Sequence, residues 1–452
     1  MTATWWCEHA WRGGDVVDDG VLITVTDGRI TAIDTAAAPP PHSNRLRGLV
    51  IPGLANAHSH AFHRTLRART QRDRGSFWTW RDLMYRAAER LDPDRYRRLT
   101  RAVYAEMALA GITAVGEFHY LHHDAGGARY SDPNAMGRAV IDGAADAGIR
   151  LTLLDTCYLS SEGAPLSGVQ ARFGDGSGEA WAQRVEAMRR QLADAGTVVV
   201  GAALHSVRAV PPEHMPAVIE WAAAHNVPLH VHSSEQPREV ERCLSVYRRT
   251  PTAVLRDAGA LGQRTTVVHA THLTAADIDD LARTSTGVCM CPTTERDLGD
   301  GIGPAPALLA GRGLFSLGSD SHAVIDMFEE ARAVELDERL ASGKRGIIAA
   351  ERLLRAATLE GQHALGWPDA GALAVGMRAD LVAVRMDSVR TAGGGPTPEN
   401  VVFAAGAADV TDVVIDGRWV VAGGRHVTIP NAAAELSRAI ADLMDIPVKE
   451  RP

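Results

Sequence analysis

Cysteine and long apolar runs are both scarce in this chain of 452 residues. Its five cysteines are odd in number and show no C-x-x-C spacing, which predicts neither a disulfide framework nor a sulfur-ligated zinc knuckle. No stretch of about 18 apolar residues occurs, and the N-terminus lacks the basic and apolar regions of a signal peptide. We therefore expect a reduced, cytoplasmic setting and no membrane anchor.

Basic charge is not in excess, and lysine is almost absent. The formal net charge of −8 gives no electrostatic footprint for nucleic acid or for an anionic membrane surface. Lys344 and Lys449 are the only lysines, so the stretch from His58 to Asp320 contains none. A carboxylated lysine that bridges two metal ions is excluded from that stretch, and a metal centre built there is expected to hold one ion.

Both ends of the chain carry the pattern of a β-hairpin. VLITVT and RITAI flank Asp27-Gly28, and DVVI and RWVVAGG flank Asp416-Gly417; a DG pair between alternating apolar residues is typical of a tight turn. An isolated hairpin is only marginally stable. We therefore predict that residues 1–52 and 373–452 join in one small β-sandwich domain.

Short apolar segments alternate with longer amphipathic ones from residue 53 to residue 372, a pattern typical of βα units around a parallel sheet. Eight segments read as strands: IPGLANAHSH, GITAVGEFHY, IRLTLLDTCY, TVVVGAALHSV, VPLHVHSSE, TTVVHATH, TGVCMCPTTE and LFSLGSDSH. The pattern predicts an α/β fold, a (β/α)8 TIM barrel, in which catalytic groups come from the C-terminal ends of the strands.

Three of the predicted strands end in side chains that bind metal ions. His58 and His60 lie two residues apart on the first strand, so they share a face, while His232 and Asp320 end the fifth and the eighth. Three imidazoles and one carboxylate suit zinc and leave room for a water molecule, whose pKa the ion would lower to about 7. We predict one zinc ion per subunit.

Two further residues are candidates for proton transfer. His269 ends the sixth strand and could hydrogen-bond the water or polarise the electrophile, and Glu235 could carry a proton to a leaving nitrogen. Asp320 could also accept the proton of the water. Glu235 has an alternative interpretation as a carboxylate at a helix start, where negative charge is favourable. His230 shares a strand face with His232 and is the alternative ligand, although the spacing to Glu235 favours His232.

At these positions the sequence resembles the amidohydrolase superfamily, whose barrels carry H-x-H on the first strand and His, His and Asp on the fifth, sixth and eighth. The resemblance spans nearly the whole chain, and GALAVGMRADLVAV and VVIDGRWVVAGG resemble the returning strands of the flanking β-sandwich. Within the superfamily, the runs HSHAFHR, GSFWTWRDLMY, VGEFHYLHHD and ALHSVRAV resemble the formimidoylglutamate deiminase family. Those enzymes of histidine degradation hydrolyse N-formimino-L-glutamate to N-formyl-L-glutamate and ammonia.

A substrate of this kind has two carboxylates, which arginine side chains can bind. The resemblance implies that Arg81 and Arg208 hold the carboxylates and that Tyr120 and His205 add hydrogen bonds. His63 stands where some members of the family carry glutamine, so it either donates to a carboxylate or only packs beside its phenylalanine neighbour. The alternative interpretation of Arg81 is an arginine on a helix surface that binds no substrate. The resemblance also implies a homodimer.

Two other functions are compatible with the sequence. A deaminase of the same superfamily that acts on a purine, pyrimidine or triazine ring would keep the metal site but replace the arginines with stacking and edge contacts. A catalytically silent barrel would serve as a binding or assembly protein, but all the expected metal ligands are present, which argues against it.

Overall fold

The computed structural model describes residues 2–71, 77–192 and 196–444, apart from the side chains of residues 77–79. Part of the GSFWTWR run therefore lies outside the described residues. The strands are β1 (Thr2–Trp11), β2 (Val17–Thr26), β3 (Arg29–Thr35), β4 (Asn44–Pro52), β5 (Leu54–Ser59), β6 (Ile112–His119), β7 (Arg150–Cys157), β8 (Val198–Ser206), β9 (Leu229–Ser233), β10 (Thr265–His269), β11 (Gly287–Met290), β12 (Phe315–Leu317), β13 (Leu381–Val384), β14 (Val410–Ile415), β15 (Arg418–Ala422) and β16 (Arg425–His426).

Helices follow most of the strands from β6 to β12 and cover the barrel. They are α1 (Phe77–Arg90), α2 (Pro93–Leu109), α3 (Ala135–Ala147), α4 (Gly178–Gln191), α5 (Met215–His225), α6 (Pro237–Tyr247), α7 (Pro251–Asp257), α8 (Ala275–Thr284), α9 (Pro292–Leu298), α10 (Ala305–Leu309), α11 (Met327–Ser342), α12 (Ala350–Arg355), α13 (Gly361–Ala364), α14 (Pro398–Phe403) and α15 (Ala432–Met444). A short 3-10 helix, Ala61–Leu66, follows β5 directly. In the described residues, no helix combines the length and the apolar character needed to cross a membrane.

Strands β5 to β12 form a parallel sheet in which each strand pairs with its neighbours in chain order. The sheet closes on itself through a parallel bridge between Ser59 and Asp320. In this bridge His60 N donates to Asp320 O at 3.2 Å, and Asp320 N donates to His58 O at 3.0 Å. All eight predicted strands coincide with β5–β12, so the predicted (β/α)8 barrel is confirmed.

The second sheet has the strand order β16-β15-β14-β13-β4-β1-β2-β3. The two chain ends meet at β4, which is parallel to β1 and antiparallel to β13. The rings of Trp5 on β1 and Trp419 on β15 lie 4.8 Å apart, whereas a flat sheet at roughly 4.8 Å per strand would hold these strands about 19 Å apart. The sheet therefore curls back over an apolar core that includes Trp5, Ile23 and Val414, as the predicted sandwich requires. The boundaries at residues 52 and 372 stay predictions.

A buried ion pair joins the barrel to the curled sheet. Arg150, at the start of β7, donates through Nη1 to Asp380 Oδ1 at 3.0 Å and through Nη2 to the other oxygen of the same carboxylate. Asp380 immediately precedes β13 and also accepts from the backbone N–H of Asp416 at 3.0 Å. Both side chains of the pair are essentially inaccessible to solvent.

Replacing Arg150 with methionine is expected to lower the free energy of unfolding by about 3–5 kcal/mol, because Asp380 would be left as an uncompensated buried charge. Chemical denaturation measures the loss. The double variant Arg150→Met/Asp380→Asn removes both charges and should recover part of it. A single variant within about 1 kcal/mol of the parent protein would contradict the role of this ion pair.

Candidate active site

Four side chains from the C-terminal ends of three barrel strands converge at the mouth of the barrel. His58 lies in β5 and His60 directly after it, His232 lies in β9, and Asp320 follows β12. His58 Nε2 lies 3.0 Å from His232 Nε2 and 3.2 Å from Asp320 Oδ1, and His60 Nε2 lies 3.3 Å from the same oxygen. One ligand atom from each residue lies within 4.8 Å of all the others, so a single cation can reach all four.

Backbone carbonyls fix which nitrogen of each ring faces the cluster. His60 Nδ1 donates to Phe118 O at 3.0 Å and His232 Nδ1 donates to His205 O at 2.9 Å, because a carbonyl oxygen can only accept. The Nε2 lone pairs of both rings therefore point into the cluster. Facing lone pairs repel unless a proton or a cation lies between them, so this donor set fits a divalent metal ion.

The protonation states of the four residues also suit a metal. Burial lowers the pKa of His58, of His60 and of His232 below the ordinary value for histidine. Burial alone would raise the pKa of Asp320, but the hydrogen bond and charge of His58 outweigh it and hold that pKa well below its usual range. Neutral imidazoles and an ionised carboxylate are the forms that bind metal ions.

His230, the alternative ligand, is turned away from the cluster. Its Nε2 donates to the backbone carbonyl of Ala364 at 3.0 Å. Of the two histidines on β9, only His232 lies within reach of His58 and Asp320.

The backbone is strained at the C-terminal ends of the barrel strands, where the site residues lie. Among the non-glycine residues with positive φ are Ser234 (56°), His269 (70°) and Asp320 (36°). Such conformations cost about 1–3 kcal/mol each and persist only where the surrounding structure enforces them, most often at functional sites. For Asp320, the enforcing contacts are the two backbone hydrogen bonds that close the barrel.

His269, the last residue of β10, lies between two carboxylates. Its Nε2 lies 3.8 Å from Glu235 Oε1, and its Nδ1 lies 3.4 Å from Glu295 Oε1. Burial lowers the pKa of His269, but the charges of Glu235, Glu295 and Asp320 outweigh burial and place that pKa well above its ordinary value. A small movement would thus bring His269 and Glu235 close enough to share a proton. Both residues lie beside the metal ligands.

A cavity of about 100 Å³ opens over the cluster. Both proton-transfer candidates and every predicted substrate-binding residue line it, together with three of the four metal ligands. The predicted residues in its wall are His60, His63, Arg81, Tyr120, His205, Arg208, His232, Glu235, His269 and Asp320.

The two arginines lie in an aromatic part of the cavity wall. Arg81, on α1, lines the cavity, so it is not confined to a helix surface, and its guanidinium lies 5.6 Å from the ring centre of Tyr85. Arg208 follows β8; burial disfavours its charge, but Glu239 and Glu235 outweigh burial and raise its pKa. The hydroxyl of Tyr158 accepts from Gln170 Nε2 at 3.1 Å, which leaves its own proton to donate to a ligand.

His63 contacts both the metal ligands and the proposed substrate residues. Its Nε2 lies 2.9 Å from the hydroxyl of Tyr120, and its ring lies 4.5 Å from the ring of His60. Burial lowers the pKa of His63 to about 3, so the ring is neutral at physiological pH. A neutral ring bonded to Tyr120 fixes that hydroxyl beside the cluster.

A family model described as "Amidohydrolase family" matches residues 49–420. The chain belongs to the amidohydrolase family. It is 39% identical over 418 residues to a formimidoylglutamate deiminase of Pseudomonas aeruginosa, covering 89% of this chain and 91% of that protein. It is 31% identical over 415 residues to an 8-oxoguanine deaminase of the same organism, covering 89% and 90%. The crystal structure of an amidohydrolase from Brucella melitensis superposes with a TM-score of 0.91 at 32% identity, covering 98% and 100%.

Sequence reasoning missed several residues that this amidohydrolase places in or beside the cavity. Glu295, the last residue of the seventh predicted segment, was given no role, yet it contacts His269. Tyr158 ends the third predicted strand, so its position alone could have pointed to the cavity, which it lines together with Tyr85. Tyr85 ends the run GSFWTWRDLMY, on which the resemblance rests in part, but no role was predicted for it.

A second buried group in this amidohydrolase, His119, His122 and Asp155, has the residue types of a metal site. Arg184, however, donates to both oxygens of Asp155, at 2.9 and 2.7 Å, and Trp181 Nε1 donates to Oδ1 at 2.9 Å. The carboxylate is committed to these donors, so the group is a structural polar network.

Proposed function

We propose that this protein hydrolyses N-formimino-L-glutamate to N-formyl-L-glutamate and ammonia, with one zinc ion per subunit. The observation that carries the proposal is the presence of two arginines, Arg81 and Arg208, in the same cavity as the four-residue metal cluster. Two fixed guanidinium groups suit a small dicarboxylate, whereas a neutral purine or pyrimidine ring offers nothing for them to neutralise. The 39% identity to a formimidoylglutamate deiminase supports the same substrate.

His58, His60, His232 and Asp320 would hold the metal. A bound zinc ion supplies Lewis acidity, which makes water a nucleophile at neutral pH. The choice of zinc rests on the ligand set of three imidazoles and one carboxylate. A borderline ion such as zinc binds such a set better than the hard ions magnesium and calcium do.

The cavity residues orient the substrate. Arg81 and Arg208 bind the two carboxylates. The hydroxyl of Tyr120 and the ring of His205 add neutral hydrogen bonds, as does the hydroxyl of Tyr158. With both acid ends held, the formimino carbon is presented to the cluster in the cavity wall. Holding a reactant in place in this way lowers the entropic part of the barrier.

Both protons of the attacking water end on the nitrogen that leaves. Attack forms a carbon–oxygen bond at the formimino carbon, and one proton passes to the imino nitrogen. The second proton follows as the carbonyl forms and the carbon–nitrogen bond breaks, which releases ammonia. Glu235, with His269 3.8 Å away, accepts these protons and returns them to the nitrogen, and Asp320 is the alternative acceptor of the first proton.

The test is ammonia release from a panel of substrates by protein whose metal content has been measured. We expect turnover of N-formimino-L-glutamate and about one zinc ion per subunit. 8-Oxoguanine, adenosine and a triazine serve as the ring substrates. Turnover of a ring substrate without turnover of N-formimino-L-glutamate would replace the proposed substrate, and protein that binds no metal under any loading condition would reject the mechanism.

A homodimer and a cytoplasmic location stay predictions. The resemblance to the family supports the first, and the scarcity of cysteine in the sequence supports the second. Sedimentation of the purified protein measures the oligomeric state directly.

A further inference from the structure

A chain of hydrogen bonds runs behind the metal ligands, on the side away from the cavity. Asn56 Nδ2 lies 2.7 Å from Ser319 Oγ, which lies 2.9 Å from His322 Nδ1. His322 Nε2 lies 3.1 Å from Ser59 Oγ, which donates to Glu117 Oε2 at 2.8 Å. All five side chains are buried. We call this set the back network: Asn56, Ser319, His322, Ser59 and Glu117.

Backbone groups fix the direction of the bonds at both ends of the back network. At one end, the N–H of Ser319 donates to Asn56 Oδ1 at 2.9 Å, so the amide group of Asn56 must turn its Nδ2 toward Ser319 Oγ. At the other end, the N–H of Ala61 donates to Glu117 Oε1 at 2.7 Å. Glu117 is therefore an acceptor at both of its oxygens.

Only one arrangement of protons satisfies every member between these ends. Ser319 accepts from Asn56 and donates to His322 Nδ1. His322 then carries its proton on Nε2 and donates to Ser59, which passes its own proton to Glu117. Every donor finds an acceptor, and the back network needs an ionised carboxylate as its final acceptor.

The back network holds the junction that carries three of the four metal ligands. Ser59 lies between His58 and His60, with its side chain on the opposite face of the strand. His322 lies two residues after Asp320. Glu117, on β6, is paired in register with Ser59 and also holds the backbone of Ala61, the residue after His60.

We propose that Glu117 is a positioning residue for the metal centre: as the final acceptor of the back network, it locks β5 and the segment after β12 in the arrangement that sets the spacing of His58, His60 and Asp320. Glu117 does not touch the cavity. The inference rests on the proposed metal site but not on the proposed substrate.

Glutamine at position 117 would keep the shape of the side chain and reverse the proton pattern. If its Oε1 keeps the bond to Ala61 N–H, its Nε2 faces Ser59 as a donor. Ser59 would then donate to His322 Nε2, and His322 would donate through Nδ1 to Ser319. Ser319 would receive two donors, from Asn56 and from His322, and its hydroxyl proton would lose its acceptor. A buried polar group left unpaired in this way destabilises the junction.

The decisive measurement is the zinc dissociation constant of Glu117→Gln, obtained by competition with a chelator of known affinity. The work is done at pH 8, because burial raises the pKa of Glu117 to about 7, against the lowering effect of Ala61 N–H, Ser59 and Tyr104. We expect zinc to bind about 10–100-fold more weakly, the range found when partners of metal ligands are replaced. The KM of the zinc-saturated variant should stay within about twofold, since Arg81 and Arg208 are untouched.

Two further variants separate this role from a general loss of stability. Ser59→Ala breaks the back network from the other side, so the double variant Ser59→Ala/Glu117→Gln should weaken zinc binding no more than the stronger single variant does. Glu330→Gln is the matched control, because Glu330 is equally buried and accepts from Thr293 N at 3.0 Å and from the Thr293 hydroxyl, and Thr293 is neither a metal ligand nor a member of the back network. Glu330→Gln should lower the melting temperature without changing zinc affinity.

Parent-like zinc affinity in Glu117→Gln would overturn the inference, and so would additive effects of the two substitutions or an equal loss of zinc in Glu330→Gln. Failure of the parent protein to release ammonia from N-formimino-L-glutamate, with zinc affinity intact, would reject the proposed substrate and leave this inference standing. A parent protein without zinc affinity would reject both.

Discussion

Glu235→Gln is expected to lower kcat on N-formimino-L-glutamate by about 10²–10⁴-fold, the contribution usual for a positioned acid or base. Glutamine retains the size of the side chain but cannot accept the proton that the water loses. His269, 3.8 Å away, remains, but it lacks the carboxylate partner on the cavity side. Steady-state kinetics measures the effect, with zinc content determined on the same samples.

The zinc content of Glu235→Gln should equal that of the parent protein, because Glu235 is not among the four clustered ligands. Glu241→Gln, an exposed carboxylate on the neighbouring helix α6, controls for the loss of one negative charge and should retain parent activity. A kcat within tenfold of the parent value would remove Glu235 from proton transfer. Loss of zinc together with activity would instead assign it to metal binding.

Arg208→Met is expected to reduce kcat/KM by about 10²–10⁴-fold, mainly through KM. Two charged hydrogen bonds to a carboxylate would be lost, at about 1.5–3 kcal/mol each. Arg208→Lys should recover only part of the loss, since an ammonium group cannot reproduce the planar fork of a guanidinium. Arg242→Met, a nearby arginine outside the cavity over the cluster, controls for the general positive potential.

Substrate analogues show which carboxylate each arginine holds. N-formimino-γ-aminobutyrate lacks the α-carboxylate, so the arginine that binds this group should lose its importance when the analogue is the substrate. Two analogues are compared, each of which lacks one of the two carboxylates. Arg81→Met and Arg208→Met should each leave kcat/KM nearly unchanged with one analogue and lower it strongly with the other. If both variants are equally impaired on every analogue, the arginines do not divide the carboxylates between them.

The sequence is sufficient to predict the four-residue cluster and the barrel because both depend on short-range periodicity. His58 and His60 alternate on one strand, and parallel strands in chain order must bring the end of β5 near the ends of β9 and β12. The spacing to Glu235 favoured His232 over His230, and the structure places His232 in the cluster.

Contacts across elements could not be predicted from the sequence. Glu295 reaches His269 only because α9 begins directly after β11 and turns its first residues toward β10. Glu117 looks like any polar residue near a strand end until its partners on β5 are known. The curl that brings Trp5 to Trp419 likewise depends on how strands distant in sequence stack, which a turn signal does not encode.

Closure of the barrel between Ser59 and Asp320 has a consequence for biosynthesis. His58 and Asp320 are 262 residues apart in the sequence, and ribosomes add roughly 5–20 residues per second. The two N-terminal histidines thus emerge about 13–50 seconds before their carboxylate partner. The nascent chain cannot assemble all four residues of the cluster until the last barrel strand has been translated. The complete site for a metal ion is therefore available only late in synthesis.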